Sequence, residues 1–255
     1  MSNPTFVLVH GAWHTGASWH ALAERLRSAG ATVHTPSLLS HGDDGTSYTE
    51  VTSMEQYARP ALDAIEASSE QVVLVGHSLG GSTLNYLAEV ATDRIARLAY
   101  VTAALLPNGK AATDVLFDPS YTGHPDAQSL FGVIAPTEDG MGIAMDLDGK
   151  EGIIEAFYAD CSPEVTAQAL SQLVRVTPMT AFASVSEITP EKFGSLPRLY
   201  VEAASDHAIP LSIQRWLQEM VPGSERHSLD TSHSPFLSQP DALADILLAW
   251  ARPAA

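Results

Sequence analysis

Short apolar runs recur along the chain, each closed by glycine, proline or a polar turn. Thr5–His10 (TFVLVH) ends at Gly11, Ala31–Thr35 is closed by Pro36, and Val72–Val75 runs into Gly76. Glu225–Leu229 reads as a further strand, and Arg97–Thr102 (RLAYVT) and Arg198–Glu202 (RLYVE) have the same form as the first three. Their length and β-branched content predict buried strands. Between them lie segments with apolar residues three and four apart, which predict helices. Trp19–Ala29 is one, with Ser18 as its N-cap and Gly30 just past its end. Met54–Ala67 is an amphipathic helix interrupted by Pro60, and Leu79–Val90 carries Leu84, Leu87 and Val90 on one face. Leu211–Met220 and Asp241–Trp250 complete the set. Strands alternating with helices predict an α/β fold, a mostly parallel central sheet with helices on both faces.

The alternation breaks after Leu106. Residues 107–190 are rich in Pro, Gly and Asp. Asp148-Gly149 has hairpin-turn chemistry, and Pro163–Val176 reads as a helix capped by Ser162. The expected organisation is a core of residues 1–104 and 188–255, with residues 105–187 inserted as a cap over the active site.

Composition narrows the partners. The chain has 255 residues, enough for one large domain, and a formal net charge of −17. Acidic surfaces repel phosphate backbones and anionic lipid, so nucleic acid and membrane are not expected partners. The one cysteine, Cys161, excludes an internal disulfide and is expected to pack within the cap. The start, Met1-Ser2-Asn3-Pro4, has no basic segment and Phe6–Val9 is too short for a signal peptide, so the expectation is a cytoplasmic protein.

The chemistry centres on Gly76-His77-Ser78-Leu79-Gly80, a G-x-S-x-G motif between a strand and a helix. Such a turn bends the chain sharply and leaves the serine Oγ exposed. A serine hydroxyl needs a base, and the base needs an orienting carboxyl group. Asp206 follows the Arg198–Glu202 strand and His233 follows the Glu225–Leu229 strand, in the order Ser, Asp, His. Ser78 is the expected nucleophile, His233 the base and then acid, and Asp206 the orienting group. The expected oxyanion donors are the backbone N–H groups of Leu79 and Ala12.

Weaker rivals exist. His207 stands beside Asp206, Asp230 precedes His233, and Asp114 and Asp118 open the inserted segment. His77 reads as a lining residue or structural donor. His10 and His14 lie on a glycine-containing loop without a neighbouring carboxylate or cysteine, a poor metal pair. Asp146–Gly149 lacks the ligand series of a calcium loop. No metal or cofactor is expected.

FVLVHGAWHTGASWHAL, GHSLGG, FYADCSPE, EKFGSLPRLYVEAASDHAIPLSIQRW and TSHSPFLSQPDALA span nearly the whole chain. On these segments the chain resembles the α/β-hydrolase group of plant methylesterases, hydroxynitrile lyases and bacterial esterases. The resemblance implies a Ser-His-Asp triad, no cofactor, a small apolar pocket under a cap, and a possible homodimer. It also implies pocket-lining roles for Trp13, Leu79, Leu105, Leu106, Met145 and Phe157. The lyases of this group carry a threonine at the position of Gly11 and a lysine at that of Ser234. The expected activity is therefore carboxylesterase action on small to medium, hydrophobic, uncharged esters. The alternatives are hydroxynitrile lyase or C–C bond hydrolase chemistry on the same scaffold, or a ligand receptor with a vestigial triad.

Overall fold

The computed structural model describes residues 3–252; Met1 and Ser2, the first residues of the expected core, lie outside the described residues. Chain order gives β1 (Thr5–Val9), β2 (Thr32–His34), β3 (Val72–Ser78) and β4 (Ile95–Ala103). An excursion follows, carrying β5 (Ile134–Pro136), β6 (Gly142–Met145) and β7 (Val176–Pro178). The chain then returns with β8 (Arg198–Ala203) and β9 (Ser224–Leu229). Six strands form one parallel sheet in the order β2-β1-β3-β4-β8-β9. Strands β1, β3 and β4 are apolar and buried almost throughout, as a parallel sheet covered on both faces requires. The edges are blunted by the brevity of β2 and the polar sequence SERHSL of β9.

Helices α1 (His20–Ser28), α2 (Met54–Ala67) and α3 (Gly80–Val90) connect the first four strands. Helix α1 packs with the closing helix Pro240–Trp250, and α2 packs with α3. The chain moves outward from β1 to β2 and then returns past β1 to β3. The loops leaving β1 and β3 therefore diverge and open a crevice, the place where parallel sheets take ligands. Among the described residues no helix is long and apolar enough to cross a membrane.

The structure corrects four local expectations. Helix α1 begins at His20, after a 3₁₀ turn over Gly16–Trp19 that Thr15 caps; the Ser18 hydroxyl donates back to the Thr15 carbonyl instead. Pro60 lies inside an unbroken α2. Asp148-Gly149 joins β6 to the helix Lys150–Phe157, with Gly149 at φ −77°. The hairpin turn belongs to Asp139-Gly140, where Gly140 holds φ +69° and Asp139 Oδ1 accepts the Met141 N–H. The helix at Pro163, capped by Ser162 as expected, stops at Ser171 because Val176 already pairs in β7.

Helix α3 is wedged between strand ends. A Cβ on Gly80 would stand 2.7 Å from the His10 carbonyl oxygen, and one on Gly81 would stand 2.7 Å from the Ala104 oxygen. Both obstacles are backbone, which has no rotamer to yield. Gly81→Ala is expected to cost about 1–3 kcal/mol. At roughly 2–4 °C per kcal/mol, thermal unfolding reads this directly; an unchanged melting temperature contradicts the packing described.

Candidate active site

Ser78 ends β3 with φ +53°, in the left-handed region. Non-glycine residues rarely adopt it, and it persists only where neighbours impose it. Here a register shift between β3 and β4 falls at His77/Ser78, and the Ser78 carbonyl accepts the Ala104 N–H at 2.9 Å. Gly11 clears the other side, since a Cβ there would lie 2.7 Å from the Ser78 Cβ. The bend turns the serine side chain toward a cavity.

Asp206 and His233 meet in the loops after β8 and β9, and no hydrogen bond joins Ser78 to His233 among the described residues. His233 Nδ1 is 2.7 Å from Asp206 Oδ2, and both side chains are inaccessible to solvent. Asp206 Oδ1 accepts the N–H groups of Ala208 and Ile209 at 2.7 and 2.8 Å, and the Thr102 hydroxyl donates to Oδ2. The carboxyl group is thus fixed from three sides. Its bond to Nδ1 leaves Nε2 as the free nitrogen of His233. That atom is buried and has no partner among the described residues. The His233 ring meets the Phe157 ring edge-on at 5.3 Å and the His77 ring at 4.5 Å. His77 Nε2–H donates to the His233 carbonyl at 2.8 Å, so the residue before the serine holds the histidine's backbone.

The rivals are occupied elsewhere. His207 is partly exposed and bonded to Glu155, and Asp230 accepts the Ser205 hydroxyl. Asp114 accepts the Ala111 N–H, and Asp118 caps the helix Pro119–Thr122. His10 spends its ring nitrogens on the Gly11 carbonyl and the Leu38 N–H, and His14 spends its own on the Ala12 carbonyl and the Tyr158 hydroxyl. Rings so used have no lone pair aimed at a shared ion. Cys161 is half-buried, and burial with the nearby Asp160 pushes its thiol up to about 12.

The cavity beside Ser78 holds about 60 Å³ and is walled almost wholly by apolar side chains. Trp13, Leu79 and Phe157, expected in the pocket, line it, and so does Ala12. Among the described residues neither the Ala12 nor the Leu79 amide N–H is taken by a hydrogen bond. Leu105, Leu106 and Met145 are fully buried but stand outside the lining. Ala104 supplies that wall instead, while the Asn85 amide holds the Leu106 carbonyl. Thr102, at φ +37°, breaks the strand alternation just before this point, which reassigns the side chains that follow. Sequence reasoning missed Val115, Leu116, Tyr121, Leu130, Phe182, Ile209 and Leu217 of the lining. The first four come from short helices or turns with no readable period. Tyr121 spends its hydroxyl on the Ala208 carbonyl.

The site is built among buried neutral histidines. Burial, the largest cause in each, lowers His14 and His41 from 6.5 to about 4 and holds His10 and His77 well below 6.5. Between about pH 6.5 and 4 the unfolded chain therefore binds more protons than the folded one. The stability these imidazoles confer is complete above about pH 6.5 and is lost as pH falls toward 4. A fall from 6.5 to about 4 is worth about 3 kcal/mol per ring at 1.36 kcal/mol per pH unit. Urea unfolding across this range should show the decline, and NMR should show the His14 and His41 rings still neutral at about pH 5. Titration of either ring near pH 6.5 contradicts the burial argument.

Comparison with known proteins agrees with the geometry. Residues 6–246 match the alpha/beta hydrolase family. A pyrethroid hydrolase of Sphingobium wenxiniae is 33% identical over 98% of this chain and 89% of its own. Salicylic acid-binding protein 2 of Nicotiana tabacum is 32% identical over 95% of each chain. The crystal structure of a pyrethroid hydrolase from Sphingobium faniae superposes with a TM-score of 0.89 at 29% identity, covering 97% of both chains. The chain belongs to the alpha/beta hydrolase family, in the branch of its carboxylic ester hydrolases.

Proposed function

We propose that the chain is a serine carboxylesterase that hydrolyses hydrophobic, uncharged esters through an acyl-enzyme. The observation that carries this reading is the buried Asp206–His233 pair, with Nε2 free, together with a strained serine that faces an apolar cavity. In this reading Nε2 takes the Ser78 proton as Oγ attacks the ester carbonyl. The Ala12 and Leu79 N–H groups receive the oxyanion. The intermediate collapses, the C–O bond to the alcohol breaks, and imidazolium returns its proton to the leaving alkoxide. A water then attacks the acyl-serine with His233 again as base, releasing the acid. Serine, imidazole and backbone donors supply every proton transfer and charge these steps need.

The cavity wall sets the substrate class. It offers no charged side chain to pair with an anionic acyl group, and transfer of an unpaired charge into such a wall is costly. The kinship with a pyrethroid hydrolase is in keeping with an uncharged ester. Residues 105–187 act as the cap that closes this cavity, and the lone Cys161 suits a reducing, cytoplasmic setting. Against cyanohydrin cleavage stand Gly11, where a side chain would strike Ser78, and the uncharged, buried Ser234 after His233.

With p-nitrophenyl butyrate as substrate, Ser78→Ala is expected to lower kcat by at least ~10³-fold, and Asp206→Asn by on the order of 10⁴-fold through loss of the required imidazole tautomer. Circular dichroism should show both variants folded. Full activity in folded Ser78→Ala refutes the mechanism. A p-nitrophenyl ester with a free carboxylate on its acyl chain should be hydrolysed far more slowly than the butyrate; equal kcat/KM removes the proposed substrate class.

A further inference from the structure

Trp13 directly follows Ala12 and holds φ +58°. For a bulky residue this costs on the order of 1–3 kcal/mol and persists only where the surroundings over-determine it. The surroundings here come from the excursion between β4 and β8. Thr177 Oγ1 accepts the Trp13 backbone N–H at 2.8 Å, the Ile143 carbonyl accepts the indole N–H at 2.9 Å, and the Trp13 carbonyl accepts the Val174 N–H at 2.8 Å.

Thr177 is fully buried on β7, in register with Ile143 of β6. The Leu39 carbonyl beside His41 Nδ1 can only accept, which puts the ring proton on Nδ1 and lets the Thr177 hydroxyl donate to His41 Nε2, 3.0 Å away. His41 Nδ1 faces the Leu39 carbonyl at 3.3 Å. A chain of donors and acceptors thus runs from the loop after β1, through a strand of the excursion, and back to the core. The hydroxyl at position 177 both accepts from an amide and donates to an imidazole. Valine fills nearly the same volume and does neither.

We propose that Thr177 is a positioning residue for ester hydrolysis: its hydroxyl fixes the strained Trp13 peptide and thereby aims the adjoining Ala12 N–H at the oxyanion. The inference rests on the esterase reading and on Ala12 as an oxyanion donor. It makes β7 part of the transition-state machinery, although Thr177 is outside the lining of the substrate cavity.

The test compares Thr177→Val, Thr177→Ser and Ser78→Ala with p-nitrophenyl butyrate and with butylboronic acid, whose tetrahedral serine adduct places a hydroxyl where the oxyanion forms. Misaiming one donor should lower kcat of Thr177→Val by on the order of 10–100-fold, below the ~10²–10³ of outright removal. KM should move by less than about threefold, and boronate affinity should weaken by the same factor as kcat, since both read the transition state. Thr177→Ser should return kcat to within about threefold of the parent, because it restores the hydroxyl. If Thr177→Val fails to fold, Thr177→Ala reads the same loss. A lower melting temperature with unchanged kcat, a loss confined to KM, or no recovery in Thr177→Ser overturns the proposal. Activity surviving in Ser78→Ala overturns the esterase reading beneath it, whereas loss there with full kcat in folded Thr177→Val overturns this inference alone.

Discussion

The site depends on how closely three backbones approach one another at the ends of β1, β3 and β4. Ser78 is held in the left-handed region because the chain must turn from β3 into α3 within a residue or two. That turn fits only if nothing projects from Gly11, Gly80 and Gly81, each of which faces the serine or backbone at under 3 Å from a notional Cβ. The strain at Ser78 is thus offset by packing that large stretches of the core share. The crevice at β1/β3 follows from the same crossing, since the loops on either side of it leave in opposite directions. The strained serine, the free backbone N–H groups and the cavity are consequences of one arrangement.

A second constraint is dryness. His10, His14, His41, His77 and His233 are all nearly or fully buried around the strand ends. Burial favours the neutral ring at His10, His14, His41 and His77, and hydrogen bonding sets the tautomers: His10 and His14 each have a carbonyl at Nδ1 and a donor at Nε2. His233 differs in having a carboxyl group at Nδ1 and nothing at Nε2. The contrast sets the proposed base apart from the other imidazoles without reference to any motif. His77, one bond along the chain from the nucleophile, spends its N–H on the His233 carbonyl and couples the two loops mechanically.

Strands β1, β3, β4 and β8, the elbow and the loop bearing Asp206 were legible in the sequence because a buried parallel strand writes itself as an unbroken apolar run; β9, which leads to His233, is polar and carries no such run. Whatever polar group follows such a run stands at the sheet's carboxyl edge. The excursion was not legible, because its helices and strands are mostly a turn or two long and do not establish a period. There Asp148-Gly149 and Asp139-Gly140 are equivalent as dipeptides, and only pairing of β5 with β6 selects the second. Leu105 and Leu106 were misplaced for another reason. The left-handed turn at Thr102 shifts the phase of the residues after it, and a dihedral imposed by tertiary packing leaves no local mark.

The hydrogen bonds between excursion and core decide how the enzyme admits substrate. Three loops of the candidate site, those after β1, β8 and β9, are gripped from above: Trp13 by Ile143, Val174 and Thr177, His14 by Tyr158, the loop of Asp206 by Tyr121, and the loop of His233 through the Ser232–Asp160 contact. At ~0.5–1.5 kcal/mol each, breaking them together takes several kcal/mol, which leaves a wholly lifted state rarely populated. Such an opening would also release Trp13 from its strained conformation and disorder the donor loop. The geometry therefore favours entry past side chains of the short helices, with the β6–β7 ribbon held down. Residues such as Val115, Leu116 and Leu130 can then change the shape of the cavity, while Thr177 cannot change without disturbing the chemistry beneath it.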